Sequence, residues 1–198
     1  AGRKNNKFIY GGYIEIFQRM QFIRGTENLL YDLGGDPESA ILLRDKVTDY
    51  FKHYLRYWLK KDVDAIYFSD DFGTQRSLLI SPKMWREIFK PAYQEIMTMV
   101  KGSGKFIFYH TCGHVLALYP EFIELGIDAV NSQIHCMGLE NVAEKFAGKT
   151  TFWGEMDRQN LLPFGTPEEI DRSAALMKEK LFVKGGGLIG HSVAGEDV

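Results

Sequence analysis

The chain has 198 residues, is 45% hydrophobic, 14% aromatic and 25% charged, and carries a formal net charge of -2, the make-up of one globular domain with a sizeable core. That balance gives no electrostatic footprint for nucleic acid or an anionic membrane surface, and no apolar run approaches the roughly 18–20 residues that cross a bilayer. The polar opening Ala1–Asn6, a Phe8–Tyr13 run too short for a signal core, and only two cysteines, Cys112 and Cys136, exclude a disulfide scaffold and lead to the expectation of a reduced, cytoplasmic protein.

Short β-rich runs alternate with helical patterns. Lys7–Tyr13 reads as the first strand. A helix is expected from about Pro37 to Lys61, where Val47, Tyr50, Phe51, Tyr54, Leu55, Trp58 and Leu59 recur at steps of three and four. Asp64–Asp70 is the second strand. Ser81 and Pro82, a cap and a first-turn proline, open a helix that runs to about Lys101 and stops at Gly102-Ser103-Gly104. Lys105–His110 reads as a strand, Ala117–Leu125 as a short helix, Ile127–Asn131 as a strand, Leu139–Phe146 as a helix and Lys149–Gly154 as a strand. Thr166-Pro167-Glu168-Glu169 has the cap and acidic first turn of a helix reaching Phe182, and Gly187–His191 begins a sixth strand. Lys61–Ile66 and Leu125–Val130 resemble each other, each closing a helix and entering a strand, as a repeated βα unit would.

Such alternation means a parallel sheet with helices outside it, either doubly wound or closed into a barrel. Six strands fall short of a whole barrel, which takes roughly 250 residues. The expectation is a single domain over residues 1–198, an incomplete (β/α)₈ TIM barrel without its first βα units and its last helix. Two open edges would make it aggregate or call for a second copy, as a homodimer, to cover them.

Reading each strand to its C-terminal end gives Tyr13 and Glu15, Asp70 and Asp71, His110 and Cys112, Asn131 and Gln133, Glu155 and Asp157, then His191. In a barrel those ends converge on one mouth, where active sites form. His110-Thr111-Cys112-Gly113 is the sharpest feature. Alternation points His110 and Cys112 the same way, so imidazole and thiolate reach one zinc ion, and Gly113 lets the backbone turn at once. A third ligand is needed. His191 is the first choice, Cys136 and His135 come second, and His114 is too near to orient. Of Asp70 and Asp71, one faces the mouth as a base or substrate holder and the other caps; the capping role is expected for Asp71. Glu155 is expected in the site, with Asp157 and Arg158 as an ion pair at the rim. Gly102–Lys105 and Gly148–Thr150 are not phosphate loops, because each precedes a strand where such a loop needs a helix.

Asp64–Gly73 with Ile80–Trp85 and Lys90-Pro91, then His110–Gly113, Phe152–Asp157 and Leu162–Glu169, resemble the uroporphyrinogen decarboxylase superfamily from about Tyr10 onward. The resemblance implies the barrel over the doubly wound sheet. It also implies one of two activities: metal-free decarboxylation of a tetrapyrrole, or transfer of a methyl group between a corrinoid and a thiol, with zinc making the thiolate. The His110–Cys112 pair is similar to the methyltransferases' metal motif, with His191 where they carry a cysteine. Gly190-His191 resembles a decarboxylase motif as well. Gly11-Gly12-Tyr13 and Ser69–Gly73 depart from the decarboxylase pattern. The implied protein is a zinc-assisted, corrinoid-dependent methyltransferase. His110, Cys112 and His191 would bind the metal, and Asp70, Glu155 and His191 would be catalytic. Tyr13, Asp71, Asn131, Gln133 and Asp157 would hold substrate. Its partners would be a small thiol or a tetrapyrrole, and a corrinoid or corrinoid protein. The alternatives are a decarboxylase of porphyrin biosynthesis and a non-catalytic corrinoid- or metal-binding protein.

Overall fold

The computed structural model describes residues 5–191; residues 1–4, most of the polar opening, and 192–198 lie outside the described residues. Six strands pair in parallel in chain order: β1 (Tyr10–Ile14), β2 (Ala65–Ser69), β3 (Phe106–Thr111), β4 (Ala129–Ser132), β5 (Thr151–Glu155) and β6 (Leu188–His191). Parallel neighbours need a crossover. Helices α1 (Ile16–Arg24), α2 (Thr26–Gly35) and α3 (Pro37–Leu59) supply the first. Helix α4 (Pro82–Met84), a π-turn at Trp85–Phe89 and α5 (Lys90–Gly102) supply the second. A 3₁₀ turn at Leu116–Leu118 leads into α6 (Tyr119–Glu124), and α7 (Ile134–Met137) with α8 (Leu139–Phe146) follows β4. After β5 come α9 (Leu161–Phe164) and α10 (Pro167–Leu181).

The sheet curls. Neighbouring strands lie about 4.8 Å apart, so on a flat sheet β1 and β5 would be separated by about 19 Å. Yet the rings of Tyr10 on β1 and Trp153 on β5 are 5.9 Å apart, and Tyr67 on β2 is 6.2 Å from the same indole. The inner side chains therefore meet across a concave face, which selects the barrel over the doubly wound sheet. Alternation then separates two sets. Tyr67, Phe108 and Trp153 face inward, while Ile66, Phe68, Ile107, Tyr109, Val130 and Phe152 face outward and are buried under the helices. Among the described residues this is six strands of a (β/α)₈ barrel, and no helix is long and apolar enough to cross a membrane.

Side-chain caps close to the helix set the starts of α3, α4 and α10. The Asp36 carboxylate accepts from the Ser39 N–H at 3.2 Å, and the Ser81 hydroxyl accepts from Met84 N–H at 3.1 Å. Thr166 and Glu169 form a full capping box, with N–H bonds of 2.8 and 3.3 Å. The π-turn lets Trp85, Ile88 and Phe89 all lie on the buried side. Residues 16–35, which the periodicity left without an element, are helical. Helix α1 has no capping side chain of its own; its cap comes from Asp70, which follows α3 in the sequence.

Candidate metal centre at the strand ends

The two neighbouring aspartates at the end of β2 part ways. Asp70 follows Ile66 and Phe68 outward and is fully buried. Its carboxylate accepts from the N–H groups of Ile16 (2.6 Å), Phe17 (3.1 Å) and Gln18 (2.7 Å), and from the Tyr93 hydroxyl. It thus caps α1, where the N–H groups and the helix dipole favour an anion. Burial nonetheless pushes its carboxyl up to about 7, against those hydrogen bonds. Asp71 follows Tyr67 and Ser69 inward and reaches the mouth. The expected division is therefore reversed: Asp70 is the cap, with its oxygens committed away from the site, and Asp71 is the site carboxylate. The outward-facing Ile66 and Phe68 carried that parity in the sequence.

At the mouth, Asp71, His110 and Cys112 present one ligand atom each, all within 4.8 Å of one another. Cys112 Sγ lies 3.4 Å from His110 Nε2, which lies 3.6 Å from Asp71 Oδ1. Zinc bonds of roughly 2.0–2.3 Å in a tetrahedron put ligand atoms about 3.5 Å apart, which these two separations match. The Asp71 carboxylate also accepts from the Cys112 N–H at 2.8 Å, tying β2's exit to β3's. His191 does not join this group. It pairs with Glu155 across β5 and β6, its ring stands edge-on 5.6 Å from Trp153, and its Nδ1 is buried without a hydrogen-bond partner. The candidate third donor is thus Asp71, on the adjacent β2; His191 is not among the donor atoms gathered here.

Asn131 orients the imidazole. Its Nδ2 donates to the Trp153 carbonyl at 2.6 Å, so its Oδ1 must accept, and it takes His110 Nδ1 at 2.5 Å. In the neutral ring this places the proton on Nδ1 and leaves the Nε2 lone pair facing Cys112 and Asp71, as a metal ligand requires. Cys112 fits as well. Burial, then the nearby Asp71, push its thiol up to about 11, and the Arg158 guanidinium, donating to Sγ at 3.4 Å, offsets only part of this. Without a bound cation the sulfur stays a thiol and a poor nucleophile.

Two glycines set the approach. Gly113 has φ 80°, and a Cβ there would sit 2.3 Å from the Gly73 carbonyl oxygen. A Cβ on Gly73 would meet the Cys112 carbonyl at 2.7 Å. The exits of β2 and β3 are pressed together backbone to backbone, which brings Asp71 to Cys112. The Gly113 turn was legible from sequence; its Gly73 counterpart was not.

Beside the cluster lies a cavity of about 90 Å³ whose walls include Gln75, Gln133, His135, Cys136, Glu155 and Arg158. Gln133 is 92% buried and accepts from Gln75 Nε2 at 2.7 Å. Asp157 lines the same cavity: burial pushes its carboxyl up, but N–H bonds from Asn160 (3.0 Å) and Gln159 (2.9 Å) outweigh this and hold it below the usual carboxylate range. The expected Asp157–Arg158 pair is absent, since Arg158 faces Cys112 and Glu155. Cys136 donates to the Gln133 carbonyl at 3.0 Å and stays out of the metal group, as does His135. Tyr13 sits on the aromatic wall, 5.6 Å from Tyr67, and not in this cavity.

Residues 16–191 match the family model of uroporphyrinogen decarboxylase (URO-D). The chain belongs to that family. Among solved structures it is similar to a methyltransferase from Methanosarcina mazei, at TM-score 0.74 and 15% identity over 96% of this chain and 53% of that one. The chain thus spans about half the length of that relative. Two dihydropteroate synthases share the fold more loosely. The enzyme from Anaplasma phagocytophilum, with bound 6-hydroxymethylpterin-monophosphate, gives TM-score 0.53 at 15% identity, covering 96% of this chain and 69% of that one. The one from Vibrio fischeri gives 0.52 at 12%, covering 92% and 60%. No curated protein matches in sequence.

Proposed function

We propose that this URO-D family chain is the thiol-activating part of a zinc-assisted, corrinoid-dependent methyltransferase. The observation that carries this reading is the trio Asp71, His110 and Cys112, with donor atoms within 4.8 Å of one another and the imidazole lone pair turned into it by Asn131. Zinc held there would lower the pKa of an incoming thiol and keep its sulfur as thiolate. The chain's own residues fix the donors: Asp71 through the Cys112 N–H, His110 through Asn131, and Cys112 through the Arg158 guanidinium. An acceptor thiol would enter through the neighbouring cavity, whose walls include Glu155 and Arg158. The methyl donor, a methylated corrinoid, would approach from the aromatic concave side. Elemental analysis tests this on the full-length protein. About one zinc per chain, lost in Cys112→Ala and in Asp71→Ala, is expected; a parent without zinc that still methylates a thiol overturns it.

One observation favours a second reading. Tyr10, Tyr67, Phe108 and Trp153 form a continuous aromatic wall with ring separations of 5.5–6.4 Å, an apolar face on which the pyrrole rings of a macrocycle could pack. Carbon dioxide release from uroporphyrinogen by metal-stripped protein would support a decarboxylase instead.

A further inference from the structure

Glu155 is 3% exposed, its Oε2 accepts no hydrogen bond, and it lines the small cavity beside Cys112. A buried carboxylate oxygen left without a donor is costly, and native proteins keep such groups mainly where a ligand completes them. Its nearest cation is Arg158, whose Nη1 stands 3.8 Å away, too far for a hydrogen bond. Arg158, which lines the same cavity, spends one donor on Cys112 Sγ and has four more N–H groups to offer. The cavity thus offers an unmet acceptor and an under-used set of donors a few ångströms apart. A ligand with a positive N–H group and a negative oxygen group on neighbouring atoms answers both at once. A purely anionic ligand would leave Glu155 unmet and repelled, and a purely cationic one would do the same to Arg158.

We infer that this cavity binds a small zwitterion of the α-amino-acid type. Its ammonium donates to Glu155 and its carboxylate accepts from Arg158, which turns a side-chain thiol toward Asp71, His110 and Cys112. This deepens the methyltransferase reading by naming the acceptor class, an amino-acid thiol. Glu155 and Arg158 are its specificity residues.

The test is calorimetric titration of the metal-loaded full-length protein with three matched thiols: homocysteine, 4-mercaptobutanoate without the amine, and 3-mercaptopropylamine without the carboxylate. Homocysteine should bind at least about tenfold tighter than either, since a hydrogen bond to a charged partner contributes roughly 1.5–3 kcal/mol. Glu155→Gln should erase its advantage over 4-mercaptobutanoate and Arg158→Gln its advantage over 3-mercaptopropylamine. Glu155→Gln should fold at least as stably as the parent, because it removes a buried charge. Equal affinity for the three thiols, or variants that weaken all three alike, overturns the inference. Thiol-free 2-aminobutanoate, titrated into metal-stripped protein against butanoate, separates this result from the metal reading. Selectivity without any zinc binding sinks the zinc centre and keeps the zwitterion site. Zinc binding without selectivity does the reverse.

Discussion

Asp70 and Asp71 are neighbours in sequence and opposites in circumstance. Asp70 lies in a socket where three N–H groups and a phenol meet its oxygens, sealed beneath α1. Asp71 lies at a mouth where Asp71, His110 and Cys112 crowd their donor atoms together, and where Glu155 Oε2 and His191 Nδ1 have no hydrogen-bond partner. The contrast teaches how to separate structure from function in one strand end. A polar group whose hydrogen bonds are complete is holding the fold, and a cluster of incomplete ones is holding a place for something else.

Cutting the socket should give the largest effect. Asp70→Ala leaves the first turn of α1 and the Tyr93 hydroxyl without their acceptor, so urea unfolding should show a loss of about 3–5 kcal/mol. Zinc bound per folded molecule should stay unchanged; a zinc site that disappears with Asp70 would merge the two regions into one.

The same carboxyl gives a pH signature. Its folded value of about 7 lies above the ordinary 3.8, so the folded state holds a proton that the unfolded state has released. This contribution is fully present below about pH 4 and is lost as pH rises through 7. Unfolding midpoints should fall across that window in the parent and fall less in Asp70→Asn. Stability that climbs across it would mean that the three N–H bonds outweigh burial.

At the mouth, Asn131→Ala removes the partner that sets the His110 tautomer. Zinc affinity, read by competition with a chelator, should drop about 10–100-fold. An unchanged affinity would show that His110 needs no orienting partner. Gly113→Ala should cost at least about 1–3 kcal/mol of stability from the positive φ alone, with the clash against the Gly73 backbone added to it. It should also loosen zinc, because Asp71 and Cys112 would be driven apart.

The fold was readable because its signals are local. Thr166–Glu169, Ser81-Pro82 and the β-rich runs each depend on residues a few positions apart. Helix α1 was missed for the opposite reason: Asp70, 54 residues from Ile16, supplies its cap. The site divides in the same way. His110 and Cys112 share a face by alternation within one strand, so their pairing was visible. Asp71 comes from another strand, and its arrival depends on how closely β2 and β3 leave the sheet. His191, the expected third ligand, is not among the donor atoms gathered with His110 and Cys112. The Asp70–Asp71 assignment failed though the sequence held its answer, because parity was not counted from Ile66 and Phe68.

The Gly73–Gly113 contact has a consequence for how such a site changes over generations. Donor atoms at the rim are exchangeable in principle, since cysteine, histidine and aspartate all bind zinc, and replacing one alters affinity by degrees. The two glycines have no such latitude. Any side chain at either position meets backbone at under 3 Å, and backbone cannot step aside as a flexible side chain does. Descendants of this chain can therefore try new ligands freely, while the hinge that brings the ligands together must be inherited as a pair.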